Sequence, residues 1–369
     1  MTIPYDRKIL LVNWMGCITP GNTIADVAAL IRDKMSNVAG MMLRTSNGLN
    51  WEGHLGDSGP KAVTGVARIW QWVEELDKQG LEVHVWGKPR ALRLTKADGR
   101  PDLEKEAANV PGVQSLLLDV EHGPLYWQGT PQEAEELMTR IREGISGDAH
   151  IGMILDGRRN RPFSVWVDPW IPFVDSLHPM VYPILFSSPK TIAQHLDEAF
   201  ANLRGYDRPI APMLQAFAGS ERRPTPDEIV QQGNAALARG AAGISFFRLG
   251  SDIWPGDQLP HTGEPEYAAI ARIQVPDEAV VPAHTWQDVI NAKAHETKGR
   301  ECVMNLVERI EQRVTTTEDA QTVKRLIEVG VRAHRYLERL ESPSRESEAL
   351  QLELGIALVY ATATEENTP

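Results

Sequence analysis

The sequence predicts a (β/α)8 TIM barrel followed by a C-terminal α-helical appendage. Three observations carry that prediction. Eight short apolar runs recur through residues 1–275. Helix-period segments separate most of them. The loop after the first run, NWMGCITPGN, lacks the G-x-G-x-x-G turn expected of a doubly wound open sheet. Strands of a parallel sheet are buried on both faces and read as continuous apolar stretches. Eight of them with their crossovers occupy about 250 residues.

The runs are 8–15 (KILLVNWM), 38–44 (VAGMMLR), 81–86 (LEVHVW), 113–121 (VQSLLLDVE), 150–156 (HIGMILD), 174–182 (VDSLHPMVY), 209–217 (PIAPMLQAF) and 241–248 (AAGISFFR). Between them, 23–35 and 62–79 carry apolar residues at helical spacing, and Gly80 is a stop signal for the second. The segment 130–143 opens with Thr130 as N-cap and Pro131 at the first helical position. Ser188-Pro189 and Thr225-Pro226 read as the same device for 188–204 and 225–239, closed by Gly205 and Gly240. The stretch RNRPFSVWVDPWIPF is too proline-rich for a long helix. An acidic, proline-containing linker, VPDEAVVPA, ends the barrel domain near residue 275. Residues 284–369 show helical pattern only, near 286–295, 301–313, 318–339 and 346–361.

Composition excludes several function classes. The chain has 369 residues, 42% of them hydrophobic and 24% charged, which is ordinary globular material. Its net charge is −12, which argues against a nucleic-acid or anionic-membrane surface. No stretch is long and apolar enough for a transmembrane helix, and the N-terminus reads without a signal peptide, so a cytoplasmic location is expected, or release by lysis if the chain is phage-encoded. Cys17 and Cys302 are the two cysteines, too few for a disulfide framework or a Cys-based zinc site. H-E-x-x-H, Walker and G-x-S-x-G motifs are lacking, so the expected site has neither metal nor cofactor.

Barrel active sites lie at the C-terminal ends of the strands. The expected ends carry Asn13 and Trp14, Arg44, His84 and Trp86, Asp119 and Glu121, Asp156, His178 and Tyr182, Gln215, and Arg248. Asp119 and Glu121 are the sharpest signal. They follow three leucines, and residues two apart on a strand face the same way, with Cα atoms about 6.5–7 Å apart. Two carboxyls in a partly dry mouth cannot both ionise cheaply, so one pKa is pushed up. A protonated acid beside an anionic partner is what glycosidic cleavage requires. Salt bridges from the pair to Arg44 or Arg248 are the structural alternative. Asp156, in LDGRRN, reads equally as a turn former, and His178 as a core histidine. Gln215 cannot act as a base and is expected to hydrogen-bond substrate.

Tryptophan is over-represented, with 10 Trp against 7 Tyr and 7 Phe. Trp14 and Trp86 fall on strand ends, and Trp51, Trp127, Trp166, Trp170 and Trp254 fall in loops expected at the same face. Flat rings with a polar edge suit stacking on sugars. Trp70 and Trp72 read as helix-packing residues, Trp70 above all.

LLLDVEHG resembles the D-x-E strand of chitinases and of family-25 lysozymes, and HPMVYP is similar to the M-x-Y strand of chitinases. VDSLHPMVYP, PMLQAF and GISFFRLGS together also resemble a group of little-characterised glycosyl-hydrolase barrels, over residues 8–273. The resemblance implies Glu121 as proton donor, Asp119 as its anionic partner and Tyr182 beside the reaction centre. The chain departs from the pattern where it carries Leu117 and Gln114 upstream of the pair, Pro183 after the tyrosine, and Asn13 at the first strand end. The expected activity is therefore hydrolysis of a glycan, N-acetylated in the manner of peptidoglycan or chitin. A non-catalytic carbohydrate-binding or structural barrel, such as part of a phage or surface assembly, is the alternative. An aldolase or isomerase ranks third, because no predicted strand end carries lysine and Lys88 lies just past the third run. In the tail, TWQDVINA resembles short segments of some phage-type lysozymes, and the acidic amphipathic helices are expected to pack or self-associate.

Overall fold

A computed structural model describes residues 3–275, except 18, 56, 58, 91–102, 122–125, 146–148, 159–165, 187, 220–221 and 251–263. The chain divides into two units, Met1–Pro282 and Ala283–Pro369. The predicted appendage (284–369), its self-association and Trp254 lie outside the described residues.

The first unit is a closed barrel. Its strands are β1 (Ile9–Asn13), β2 (Val38–Asn47), β4 (Glu82–Lys88), β5 (Val113–Asp119), β6 (His150–Asp156), β7 (Ser176–Val181), β8 (Met213–Gln215) and β9 (Ile244–Leu249). Each pairs in parallel with the next, and β1 pairs with both β9 and β2, which removes both sheet edges. A short strand β3 (Asn50–Trp51) turns back antiparallel onto the end of β2 through Gly48, whose φ of +62° suits glycine. So β2 runs three residues beyond the predicted end at Arg44, and β4 two beyond Trp86.

The helices are α1 (Ile24–Lys34), α2 (Val66–Asp77), α3 (Leu103–Ala108), α4 (Pro131–Gly144), α5 (Ile192–Leu203), α6 (Pro226–Ala238) and α7 (Glu264–Ala271). Thr130-Pro131 and Thr225-Pro226 start α4 and α6 as predicted, each threonine in a reciprocal capping box with a glutamate. The predicted start of α5 at Ser188 is corrected. Thr191 is the cap, because Gln194 lies where its side chain can return a bond to the Thr191 N–H.

Two apolar layers result. Outward residues of the strands, such as Leu116, Leu118, Met153 and Phe246, pack under the helices with Ile31, Leu76, Ile141 and Leu196. Inward residues, including Leu10, Val12, Met42, Leu117, Ile154 and Met213, fill the barrel. In α2 the buried stripe is Ile69, Trp72 and Leu76, and Trp72 donates Nε1–H to the Lys61 carbonyl at 3.1 Å. Trp70 is 50% exposed, so the helix-packing role expected of it belongs to Trp72.

The floor of the barrel is polar. The Tyr5 hydroxyl lies 2.8 Å from His150 Nε2, which lies 2.9 Å from Ser176 Oγ; Ser176 Oγ lies 3.0 Å from His178 Nε2. His84 Nδ1 meets Ser115 Oγ at 2.8 Å. The Tyr5 ring packs against all three histidines, with centroids 4.9–6.3 Å away. His178 is thus a core histidine.

Candidate active site

The opposite, C-terminal end of the barrel collects the ionisable groups. Strand parity explains why. Trp86 pairs with Leu117 and both face inward, so Lys88 and Asp119, two residues further along each strand, project into the mouth. Arg44, paired with Trp86 in register, does the same from β2. Glu121 follows β5, and Asp156 ends β6.

Asp119 is buried, and one carboxylate oxygen, Oδ1, has no hydrogen-bond partner among the described residues. Burial raises its pKa, while Lys88, Arg44 and the Glu121 backbone N–H oppose the rise. Glu121 is pushed up as well, to about 8, by burial and by the carboxylates Asp119 and Asp156. Its neighbour Tyr126 donates a hydroxyl hydrogen bond to it. The charges therefore divide the pair. Asp119 faces the cations Lys88 and Arg44, while Glu121 faces the anions Asp119 and Asp156 as well as Lys88, so the charges favour Glu121 as the site of a shared proton.

Cations frame this pair. Arg44 is buried, ion-paired to Glu52 at 3.0 Å, and sits 5.2 Å from the Trp86 ring and 5.9 Å from Trp14. Glu52 reaches it because the β3 reversal brings the chain back over β2. The Arg248 guanidinium stacks 4.2 Å over Trp14. The Lys88 ammonium lies 4.1 Å over the Tyr126 ring. The wall between β7 and β9 is aromatic. Tyr182 stacks on Phe247 at 6.0 Å, meets Phe217 edge-on at 5.2 Å and approaches Phe186 at 5.9 Å. Glu121 and Asp119 lie close enough to Tyr182 to add to the effect of burial, and its phenol stays protonated well above the ordinary range.

Of the residues expected here, Asp119, Glu121, Tyr182, Trp14, Trp86, Arg44 and Arg248 converge at the mouth. Four expectations need correction. The Asp156 carboxylate is held by Arg158 through Nε at 2.8 Å and Nη2 at 2.5 Å, and by the Arg158 backbone N–H at 3.1 Å, so it acts on Glu121 only as a neighbouring charge. Gln215 is committed to the backbone, accepting from Ile184 N–H and Leu185 N–H and donating to the Phe217 carbonyl. It positions the β7 and β8 loops, and its side chain is fully buried. Asn13 donates to the Thr19 hydroxyl and is likewise structural. Trp127 is buried edge-on against Trp170 at 5.0 Å in the layer under the helices, away from the mouth. Trp51 is half-buried against that same outer layer, and of the expected tryptophan rim Trp14 and Trp86 are the two that the described contacts place with the barrel-lining residues.

Sequence reasoning missed Tyr126, Glu52, Phe186 and Phe217, and it noted Phe247 at a strand end and Lys88 just past one without giving either a role. For Lys88 the signal existed: Glu82, His84, Trp86 and Lys88 alternate along one strand face. No group of three or more His, Cys, Asp or Glu side chains among the described residues is arranged to hold a metal ion.

No family model and no curated protein matches the sequence. Solved structures share its chain path. An endo-β-1,4-mannanase from Thermotoga petrophila is similar over 72% of this chain and 76% of its own, at 12% identity and a TM-score of 0.49. A GH113 β-mannanase from Alicyclobacillus acidocaldarius is similar over 73% and 96%, at 14% identity and a TM-score of 0.44. A xylose isomerase-like TIM barrel fused to a 4-hydroxyphenylpyruvate dioxygenase is similar over 71% and 41%, at 12% identity and a TM-score of 0.44. At such identities the likeness concerns chain path alone.

Proposed function

We propose that the barrel hydrolyses glycosidic bonds, with Glu121 as the proton donor. The observation that carries this reading is the Glu121 carboxyl, protonated up to about pH 8 beside Asp119 within an aromatic-lined mouth. A leaving sugar oxygen needs a proton as the bond breaks, and a carboxylic acid that is still protonated at neutral pH supplies it. Asp119 approaches the bond from the same strand face and carries the balancing negative charge. On an N-acetylated substrate of chitin or peptidoglycan type, Asp119 orients the acetamido group. The acetamido carbonyl oxygen attacks the anomeric carbon while the leaving oxygen departs with the Glu121 proton. Water then enters, loses its proton to the Glu121 carboxylate and completes hydrolysis with retention. Trp14, Trp86 and Tyr182 supply ring faces and edges for the sugar.

The test is release of reducing ends from chitin, cell wall and neutral β-glycans. Glu121→Gln should lower the rate by about 10²- to 10⁴-fold. Equal rates for the two proteins would remove Glu121 from the reaction. A second reading, a glycan-binding barrel without turnover, is favoured by the Arg158 clamp on Asp156, which takes a third carboxylate out of play. It predicts tryptophan fluorescence changes on glycan titration with no reducing ends released.

A further inference from the structure

Lys88 is the one mouth cation among those described above that neither pairs with a carboxylate within salt-bridge distance nor stacks on Trp14 or Trp86. It ends β4 next to Asp119 of β5, since Gly87 is in register with Leu118. Its ammonium lies 4.1 Å over the Tyr126 ring, and the hydroxyl of that ring donates to Glu121. One side chain thus acts on both members of the carboxyl pair, electrostatically on each and on Glu121 also through Tyr126. The groups facing it are Asp119 and Glu121 from β5 and the chain just beyond it, Tyr126, Arg44 from β2, Glu52 beyond β3, and Arg90 beyond β4.

We propose that Lys88 is a positioning residue that assigns the shared proton to Glu121 and orients its donor through the Tyr126 ring. The assignment rests on Glu121 being the proton donor. Two effects combine. The ammonium favours the anionic form of the nearer carboxyl, Asp119, so the proton goes to the farther one. A cation on an aromatic face also anchors that ring, which fixes the direction of the Tyr126 hydroxyl and hence of the Glu121 carboxyl. A solvated surface lysine would make neither contact; Lys88 is half-buried, and its pKa is lowered, chiefly by burial.

Infrared titration of the carboxyl band in the intact protein tests this without needing turnover, with Glu121→Gln assigning the Glu121 signal. In wild type one protonated carboxyl should persist to about pH 8. In Lys88→Met both midpoints should rise, that of Asp119 by about one unit and that of Glu121 by less. Lys88→Arg keeps the charge and should leave both midpoints at their wild-type values. Tyr126→Phe keeps the ring under the ammonium and removes the hydroxyl; it should raise the Glu121 midpoint alone, and it serves in place of Lys88→Met if that variant does not fold. Unchanged midpoints in Lys88→Met, or in Tyr126→Phe where it stands in, overturn the proposal. Where a hydrolysed glycan is in hand, both limbs of the kcat/KM profile should move up together in Lys88→Met. If no glycan is cleaved, the hydrolase reading fails while the infrared titration still decides the role of Lys88.

Discussion

Glu121 carries a cost to the fold that follows from its chemistry. Burial and the carboxylates Asp119 and Asp156 lift it from the ordinary 4.5 to about 8. Between those values the folded protein holds a proton that the unfolded chain releases. The stability tied to this group is therefore complete below about pH 4.5 and lost as pH rises through about 8. Glu121→Gln does not titrate, so the variant should gain on wild type as pH rises, by up to about 4–5 kcal/mol between pH 4.5 and 9. Urea denaturation of both proteins across pH 5–9 checks this, and parallel curves would sink it. The pair itself was legible in the sequence, because Leu116, Leu117 and Leu118 fix a buried strand and parity puts Asp119 and Glu121 on one side. Other residues were not. Glu52 matters only once a hairpin has folded it over Arg44, and Tyr126 lies in a loop with no period. Asn13 and Gln215 have substrate-binding chemistry, but nearby groups engage it, the Thr19 hydroxyl for Asn13 and the backbone of Ile184 and Leu185 for Gln215.

At the scale of the elements, strand and helix existence followed from pattern, and the errors were of phase and end. The apolar run predicted at 81–86 ends before Gly87, yet the strand continues to Lys88; a side chain on Gly87 would collide with Ser46 Oγ and Glu104, so this strand position needs the glycine. Helix α3 is six residues long, too short to show a period. In α2 the spacing Ile69, Trp72, Val73, Leu76 is the i, i+3, i+4, i+7 stripe, and it leaves Trp70 outside, above Val66 one turn earlier. Substitution separates the two tryptophans. Trp72→Ala empties a buried site and strands the Lys61 carbonyl, and should cost about 3–5 kcal/mol. Trp70→Ala should stay within about 0.5 kcal/mol. Thermal and urea unfolding of the two variants read this directly, and similar losses in both would mean that α2 is rotated from the phase described.

Across the whole barrel, the two ends are poised in opposite protonation states. The mouth keeps a carboxyl protonated, and the floor keeps histidines neutral. His84, His150 and His178 lie below the ordinary 6.5, burial being the first cause for each; His150 is near 4. The buried Nδ1 atoms of His150 and His178 have no hydrogen-bond partner among the described residues, so a proton added there would meet no acceptor. The unfolded chain takes up protons below about pH 6.5 that the floor refuses, so stability falls with pH from about 6.5 to about 4. The mouth acts in the reverse sense, losing stability as pH rises through about 8. The two windows overlap between about pH 4.5 and 6.5, where three floor histidines are set against one mouth carboxyl, so a stability maximum should lie near the upper end of that overlap, at about pH 6.5. The floor should contribute on the order of 3 kcal/mol at His150 alone, from a displacement of roughly 2.5 units. His150→Gln keeps a polar side chain at the Tyr5 and Ser176 contacts and cannot be protonated. Its urea-derived stability between pH 4 and 6.5 should fall by about one proton's slope less than wild type. An unchanged slope would place the acid sensitivity elsewhere than the barrel floor.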